Sequence, residues 1–241
     1  MSMLITEGVI LRKYFLRETS YILVIFTKDH GKIRGVLKGV RKPYPQFAGN
    51  FEILTKCGVH FYKKERKSLD LISHCEAMDS FLAVRKDIER LTYANYFIEL
   101  IDVIAGDYDE NWELYEILLD GLECLGRHEA ALAKRIFDVK ILSAAGFKPR
   151  LDSCGKCSSK EDTLLFDIVD GTLLCPSCRS EDSRCYKLHA GTLDFIRTVS
   201  ELGFEEAVSL GASAEYEKEV DNILKNFIIY HVGAQLKSAR F

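Results

Sequence analysis

The sequence predicts an α+β multidomain chain: an N-terminal OB-fold β-barrel, an α-helical body and an inserted four-cysteine module of zinc-ribbon type. Three observations carry this. Apolar residues recur with a period near two up to Ala77 and near three and a half afterwards. Two CxxC pairs, Cys154-Gly-Lys-Cys157 and Cys175-Pro-Ser-Cys178, interrupt the helical part with seventeen residues between the inner cysteines. The 241 residues, 47% apolar and 29% charged, suit two or three compact units. The expected division is a barrel over 1–79, a helical domain over 80–150 and 181–241, and the cysteine module over 151–180.

The barrel rests on short strand-like runs: Gly8-Val-Ile-Leu-Arg, Ser20 to Thr27, Lys32 to Lys38, Phe51-Glu-Ile-Leu, Val59-His-Phe-Tyr and Ser68 to Ser73. Asp29-His30-Gly31 marks a turn, and the loop from Gly39 to Gly49 carries two prolines. About 75 residues close most economically as five strands, because closure removes exposed edge hydrogen-bonding groups. An SH3-like barrel shares this signature.

Charge is distributed unevenly along the chain. Residues 1–80 hold 14 Lys and Arg against 8 Asp and Glu, a surplus of six cations inside a chain of net charge −3. The rest is acidic. The cations gather as Lys13 and Arg17 near the first turn, Lys32, Arg34 and Lys38 along one strand, Arg41 and Lys42 in the loop, and Lys63, Lys64, Arg66 and Lys67 at a hairpin. Even spacing puts Lys32, Arg34 and Lys38 on one strand face, which can track a phosphate backbone by displacing its counterions. Tyr14, Phe15, Tyr44 and Phe47 interleave with these charges, an arrangement suited to stacking on unpaired bases. Solvated strand edges carrying lysine are the plainer explanation. Together the basic strand, loop and hairpin point to nucleic-acid binding without sequence-specific base reading.

The body follows. Ala94, Phe97, Ile98, Ile101, Ile104 and Ala105 form one helical stripe, and Leu114, Ile117, Leu118, Leu122 and Leu125 another. A third helix, about Glu129 to Ala145, stops at Gly146 with Pro149 beyond it. Ala190 to Ser200 and Tyr216 to Leu236 read as two more. Such stripes are core before they are binding grooves. His231 sits among apolar positions of the last helix as a core or boundary residue, and Cys57, Cys75, Cys124 and Cys185 read as small buried hydrophobes.

Cys154, Cys157, Cys175 and Cys178 match the spacing of two thiolate knuckles around one Zn²⁺. Two disulfides are the competing use, but nothing else points to an oxidising compartment. Four thiolates fill a tetrahedron, so the Zn²⁺ is expected to be structural. His74-Cys75-Glu76 resembles the HxE of zinc deaminases, yet Pro176 falls inside its CxxC rather than before it, and a second CxxC is left unexplained. No phosphate-binding loop, nucleophile elbow or carboxylate cluster occurs, which excludes the common ATPase and nuclease signatures. No apolar run approaches the roughly 18 residues of a membrane span, and the opening Met-Ser-Met-Leu-Ile-Thr-Glu has no signal-peptide character. A cytoplasmic, nucleoid-associated protein with no membrane partner is expected.

Several segments, in order, resemble the bacterial recombination-mediator family RecO. They are Glu7-Gly-Val-Ile-Leu, the stretch from Asp29 to Lys42, Leu69 to Ala77, Ala144 to Pro149, Asp152 to Cys157, and Gly233 to Arg240. The resemblance covers essentially the whole chain. It implies an OB barrel, a helical body and an inserted zinc-finger-like module. It also implies an ATP-independent protein that binds single- and double-stranded DNA, anneals complementary strands and, with RecR, helps load RecA on DNA coated by single-stranded-DNA-binding protein (SSB). RecR, SSB and DNA are the implied partners, RecA indirectly. On this reading Arg127, Lys134, Arg135 and Lys140 receive the acidic, apolar C-terminal tail of SSB. Two other readings stand beside it: a zinc-dependent enzyme that modifies nucleic acid, and a protein adaptor whose lysines only solubilise.

Overall fold

The computed structural model describes residues 2–40, 51–64, 69–161, 164–211 and 215–233. Arg41, Lys42, Tyr44, Phe47, Arg66 and Lys67 lie outside the described residues. Five strands, β1 (Met3–Leu16), β2 (Ser20–Thr27), β3 (Gly31–Leu37), β4 (Lys56–Tyr62) and β5 (Asp70–Asp79), close a barrel in the order β1-β2-β3-β5-β4. β3 and β5 run parallel, from Gly35 opposite Asp70 to Leu37 opposite Ile72. This gives the Greek-key closure of an OB barrel.

β1 is long because it serves two neighbours. Its first half pairs with β4, from Met3 opposite Tyr62 to Val9 opposite Lys56, and its second half pairs with β2 as far as Leu16 opposite Ser20. A bulge between Ile10 and Arg12 bends the strand from one partner to the other. Where the pairings overlap, Gly8 leaves no room for a side chain: a Cβ would stand 2.6 Å from Ile25 Cγ2 and 2.7 Å from the Phe26 carbonyl oxygen. The run Phe51 to Leu54, expected as a strand, is instead a plug for this bulge. Phe51 and Leu54 are buried, Leu54 N donates to Ile10 O at 2.9 Å, and Ile10 N donates to Thr55 O at 3.0 Å. The barrel core comprises Ile10, Leu23, Ile25, Ile33, Leu37, Phe51, Cys57, Val59, Phe61, Ile72 and Cys75.

Helices α1 (Leu82–Arg85), α2 (Ile88–Ile104) and α3 (Trp112–Arg127) follow. Asp87 caps α2 by accepting from Arg90 N, and Asn111 Oδ1 accepts from Leu114 N at 2.9 Å at the start of α3. After α2 the chain runs beside β3: Lys32 N donates to Gly106 O at 3.3 Å and Tyr108 N to Lys32 O at 3.0 Å. The buried Tyr115 ring of α3 lies 6.1 Å from that of Phe26. These contacts join α1–α3 to the barrel in one compact unit, residues 1–126.

The second unit, residues 127–241, contains α4 (Ala130–Ala144), α5 (Ala190–Glu201), α6 (Phe204–Leu210) and α7 (Glu217–Val232). α4 packs against the other three. Its buried face, with Ile136, Phe137 and Ile141, matches Val220, Ile223, Leu224, Phe227 and Ile228 of α7 in helical spacing. α6 was not expected from the sequence, because seven residues hold fewer than two turns of apolar period. The small sheet β6 (Arg150–Cys154), β7 (Leu165–Asp167), β8 (Thr172–Leu174) and β9 (Cys185–Tyr186) has the order β6-β8-β7-β9. Among the described residues no helix is long and apolar enough to cross a membrane.

Candidate metal centre and nucleic-acid interface

The small sheet presents the four cysteines. β6 and β8 run side by side and parallel, with Cys154 opposite Leu173, so the turns leaving their ends lie together. The first turn holds Cys154 and Cys157: Gly155 N donates to Leu173 O and Ser158 N to Cys154 O, both at 2.8 Å. Gly155 is needed there, because a Cβ would stand 2.7 Å from Thr172 Cγ2. The second turn is a short 3₁₀ segment, Pro176–Cys178, whose proline sets φ at the first position, and Cys178 N donates to Cys175 O at 3.0 Å.

The four sulfurs lie within 4.8 Å of one another, and Cys157 Sγ is 3.7 Å from Cys175 Sγ. A Zn²⁺ tetrahedron with bonds of about 2.3 Å has sulfur–sulfur edges of about 3.8 Å, so the donor set fits that ion. The sulfurs are already unequal. N–H groups of Cys175, then Cys157 and Lys156, pull the Cys154 thiol down to about 6, whereas sulfur contacts with Cys157 and Cys175, together with burial, push Cys178 up to about 12. Among the described residues the group contains four cysteines and no histidine or carboxylate, and a closed set of this kind suits a structural ion. His74 and Glu76 belong instead to the outer side of β5, with Nε2 and Oε2 3.7 Å apart, while Cys75 between them faces the barrel core.

Cys185 is half-buried beside Cys154, Leu174 and Cys175, and burial followed by the nearby Asp167 raises its thiol. Helix α7 buttresses the module. Phe227 meets Phe166 edge to face at 5.5 Å, and His231 Nε2 donates to Ile168 O at 2.8 Å. His231 is thus a boundary residue, tied to the loop between β7 and β8.

The cations expected to meet DNA divide into two sets. Lys32 shares the outer face with Arg34, as the spacing implied, but α2 covers it. It is 6% exposed, its Nζ donates to Asp102 O at 2.6 Å, and it lies 3.3 Å from the Asp102 carboxylate, which Arg12 also binds. Lys32 therefore does not lie on an open surface. Arg34 pairs with Asp107 at 3.3 Å and Lys13 with Glu52 at 2.6 Å. Arg17, Lys38, Lys63 and Lys64 are exposed; Lys63 Nζ stands 4.1 Å from the Tyr108 ring centre, and Lys64 donates its backbone N–H to Asp70 at 3.0 Å. Asp102, Asp107 and Glu52 are the residues that sequence reasoning missed. Their only signal was acidity in segments remote from their partners.

The four cations expected to receive a partner's carboxylate are drawn into the second unit itself. Arg135 is 5% exposed, grips Asp221 through Nε and Nη2 at 3.1 and 3.0 Å, and reaches Glu217 at 3.4 Å. Lys134 bridges Asp138 at 2.8 Å, Lys140 donates to Leu202 O, and Arg127 lies 3.8 Å from Glu205.

Known proteins match this chain over nearly its whole length. A family model described as recombination protein O, N terminal, matches residues 1–81, and one described as recombination protein O, C terminal, matches residues 85–240. Three curated relatives carry the name DNA repair protein RecO. That of Moorella thermoacetica is 30% identical over 98% of this chain and 88% of its own. That of Symbiobacterium thermophilum is 28% identical over 98% and 94%, and that of Shouchella clausii 29% over 98% and 92%.

Proposed function

The chain belongs to the recombination protein O (RecO) family of DNA repair proteins, and from that premise we propose that it is a recombination mediator that binds single- and double-stranded DNA and anneals complementary strands. With RecR it helps load RecA on SSB-coated DNA. The observation that carries this reading is the match of both family models, in order, along a chain whose barrel exposes Arg17, Lys38, Lys63 and Lys64.

Annealing without ATP needs only charge neutralisation: cations lower the repulsion between two phosphate backbones, and base pairing selects the partner strand. No residue has to break or make a bond, so the protein acts as a binding surface rather than as an enzyme. In this reading the barrel, residues 1–79, carries DNA through Lys13, Arg17, Arg34, Lys38, Lys63 and Lys64, with Arg41, Lys42, Arg66 and Lys67. The helical residues 80–150 and 181–241 serve packing and partners. The module 151–180 holds a structural Zn²⁺. Of the four cations proposed for the SSB tail, Arg127 has the most open side chain, at 62% exposure, and is the one such a tail would reach first. The setting is the nucleoid within the cytoplasm.

The test is strand annealing on SSB-coated DNA with and without RecR. Acceleration without nucleotide, weakening steeply with salt, is expected; absent or salt-insensitive DNA binding would overturn the reading. The internal pairing of Lys13, Lys32 and Arg34 favours a second reading, a protein adaptor that does not touch DNA. Charge reversal at Arg17 and Lys38 separates the two, because an adaptor would lose nothing.

A further inference from the structure

The hairpin between β4 and β5 closes on a buried carboxylate. Asp70, 1% exposed, opens β5 opposite Gly35 of β3. A carboxylate at that depth needs hydrogen-bond donors, and each of its oxygens has one: Oδ1 accepts from Lys64 N at 3.0 Å, and Oδ2 accepts from the hydroxyl of Tyr108. One side chain thus ties both ends of the hairpin, Lys64 and Asp70, to the connection between α2 and α3.

That connection is shaped around the Tyr108 ring. Tyr108 has a φ of 56°, a left-handed conformation that is costly for a bulky side chain, and its backbone N–H is held by Lys32 O. Gly31 leaves room for the connection, since a Cβ there would run into the backbone of Asp109. Burial and then the bond to Asp70 raise the phenol above its ordinary range, which keeps the hydroxyl a donor. Over the ring, 4.1 Å from its centre, stands the ammonium of Lys63. A ring face holds a cation without neutralising it, whereas Lys13, Lys32 and Arg34 are paired with the carboxylates of Glu52, Asp102 and Asp107. A lysine that swings freely loses rotamer entropy on meeting a phosphate, and one already resting on a ring loses less.

We infer that Tyr108, locked by Asp70, is a positioning residue for DNA binding: its ring presents the Lys63 ammonium to a backbone phosphate. The inference rests on the DNA binding proposed above.

Fluorescence anisotropy of a labelled single strand, titrated at several salt concentrations, tests this as a double-mutant cycle. Lys63→Ala should lower the slope of log affinity against log salt by about 0.7, the share of one phosphate on a single strand. Tyr108→Leu, which removes the ring, should lose a comparable share, and in the Lys63→Ala background it should lose nothing further. Tyr108→Phe, which keeps the ring without the bond to Asp70, should fall between wild type and Tyr108→Leu. A loss that came only from weakened folding would appear in both backgrounds. Equal losses from Tyr108→Leu with and without Lys63, or no loss from one or both single variants, overturns the inference while DNA binding stands. Wild-type behaviour of Tyr108→Phe overturns the part given to Asp70. A wild-type protein that does not bind the strand overturns the DNA-binding reading itself.

Discussion

The Lys32 ammonium donates to the backbone carbonyl of Asp102 at 2.6 Å and stands 3.3 Å from its carboxylate, joining β3 to α2 across seventy residues of sequence. Arg12 approaches the same carboxylate. A lysine that charge pattern alone assigns to DNA is thus a fastener inside the first unit.

Removing Lys32 leaves the buried Asp102 carboxylate with only the half-exposed Arg12, so Lys32→Ala should cost about 3 kcal/mol of stability in urea denaturation, the low end for a broken buried pair. The DNA affinity of the folded protein should not change. Lys32→Met with Asp102→Asn should cost less than the sum of the two single changes, because no buried charge is then left without its partner; Arg12, half exposed, is solvated instead. Weaker DNA binding at full stability would return Lys32 to the interface.

Arg135 and Arg127 should behave oppositely although they are eight positions apart. Arg135→Ala removes the buried guanidinium that Asp221 and Glu217 share and should destabilise the second unit by about 1–3 kcal/mol. Arg127→Ala, at an exposed ion pair, should cost less than about 1 kcal/mol. Thermal melts of the two variants check this directly, and SSB-tail affinity measured on Arg127→Ala separates partner binding from folding.

X-ray absorption of the zinc-loaded protein should show four sulfurs at about 2.3 Å. Chelation, or Cys154→Ser, should melt the small sheet and loosen α7 through Phe227 and His231, because the module has little core besides the ion. Hydrogen exchange should then rise over 150–186 and 217–232 while the barrel stays protected. A wild-type melting temperature in metal-free protein would contradict a structural role.

Binding through the phosphate backbone predicts a salt signature. Arg17→Glu with Lys38→Glu should flatten the plot of log affinity against log salt by about one unit for each phosphate that is no longer neutralised, equally for every DNA sequence. An unchanged slope would remove those side chains from the interface.

The barrel was legible because strand period and turn residues act locally: the runs that became β2 and β3 are apolar where they face the core and are separated by the turn at Asp29-His30. Phe51 to Leu54 misled, since a plug that buries Phe51 and Leu54 has the same composition as a strand. The clustering of the four cysteines was readable residue by residue, because each knuckle is a tight turn whose geometry lies within four residues. Cys185 was not, because only the pairing of β7 with β9 brings it to the sulfurs.

The sequence by itself determined the two CxxC knuckles, the barrel, the helical stripes and the basic excess of the first 80 residues, since each depends on neighbours a few positions away. Which cations remain available to a ligand was decided only by the tertiary structure. Lys32 and Arg135 met their carboxylates through segments 70 and 86 residues distant, and burial made those pairs obligatory. Arg17 and Lys38 stayed at the surface, at the barrel end where Phe15 is also exposed.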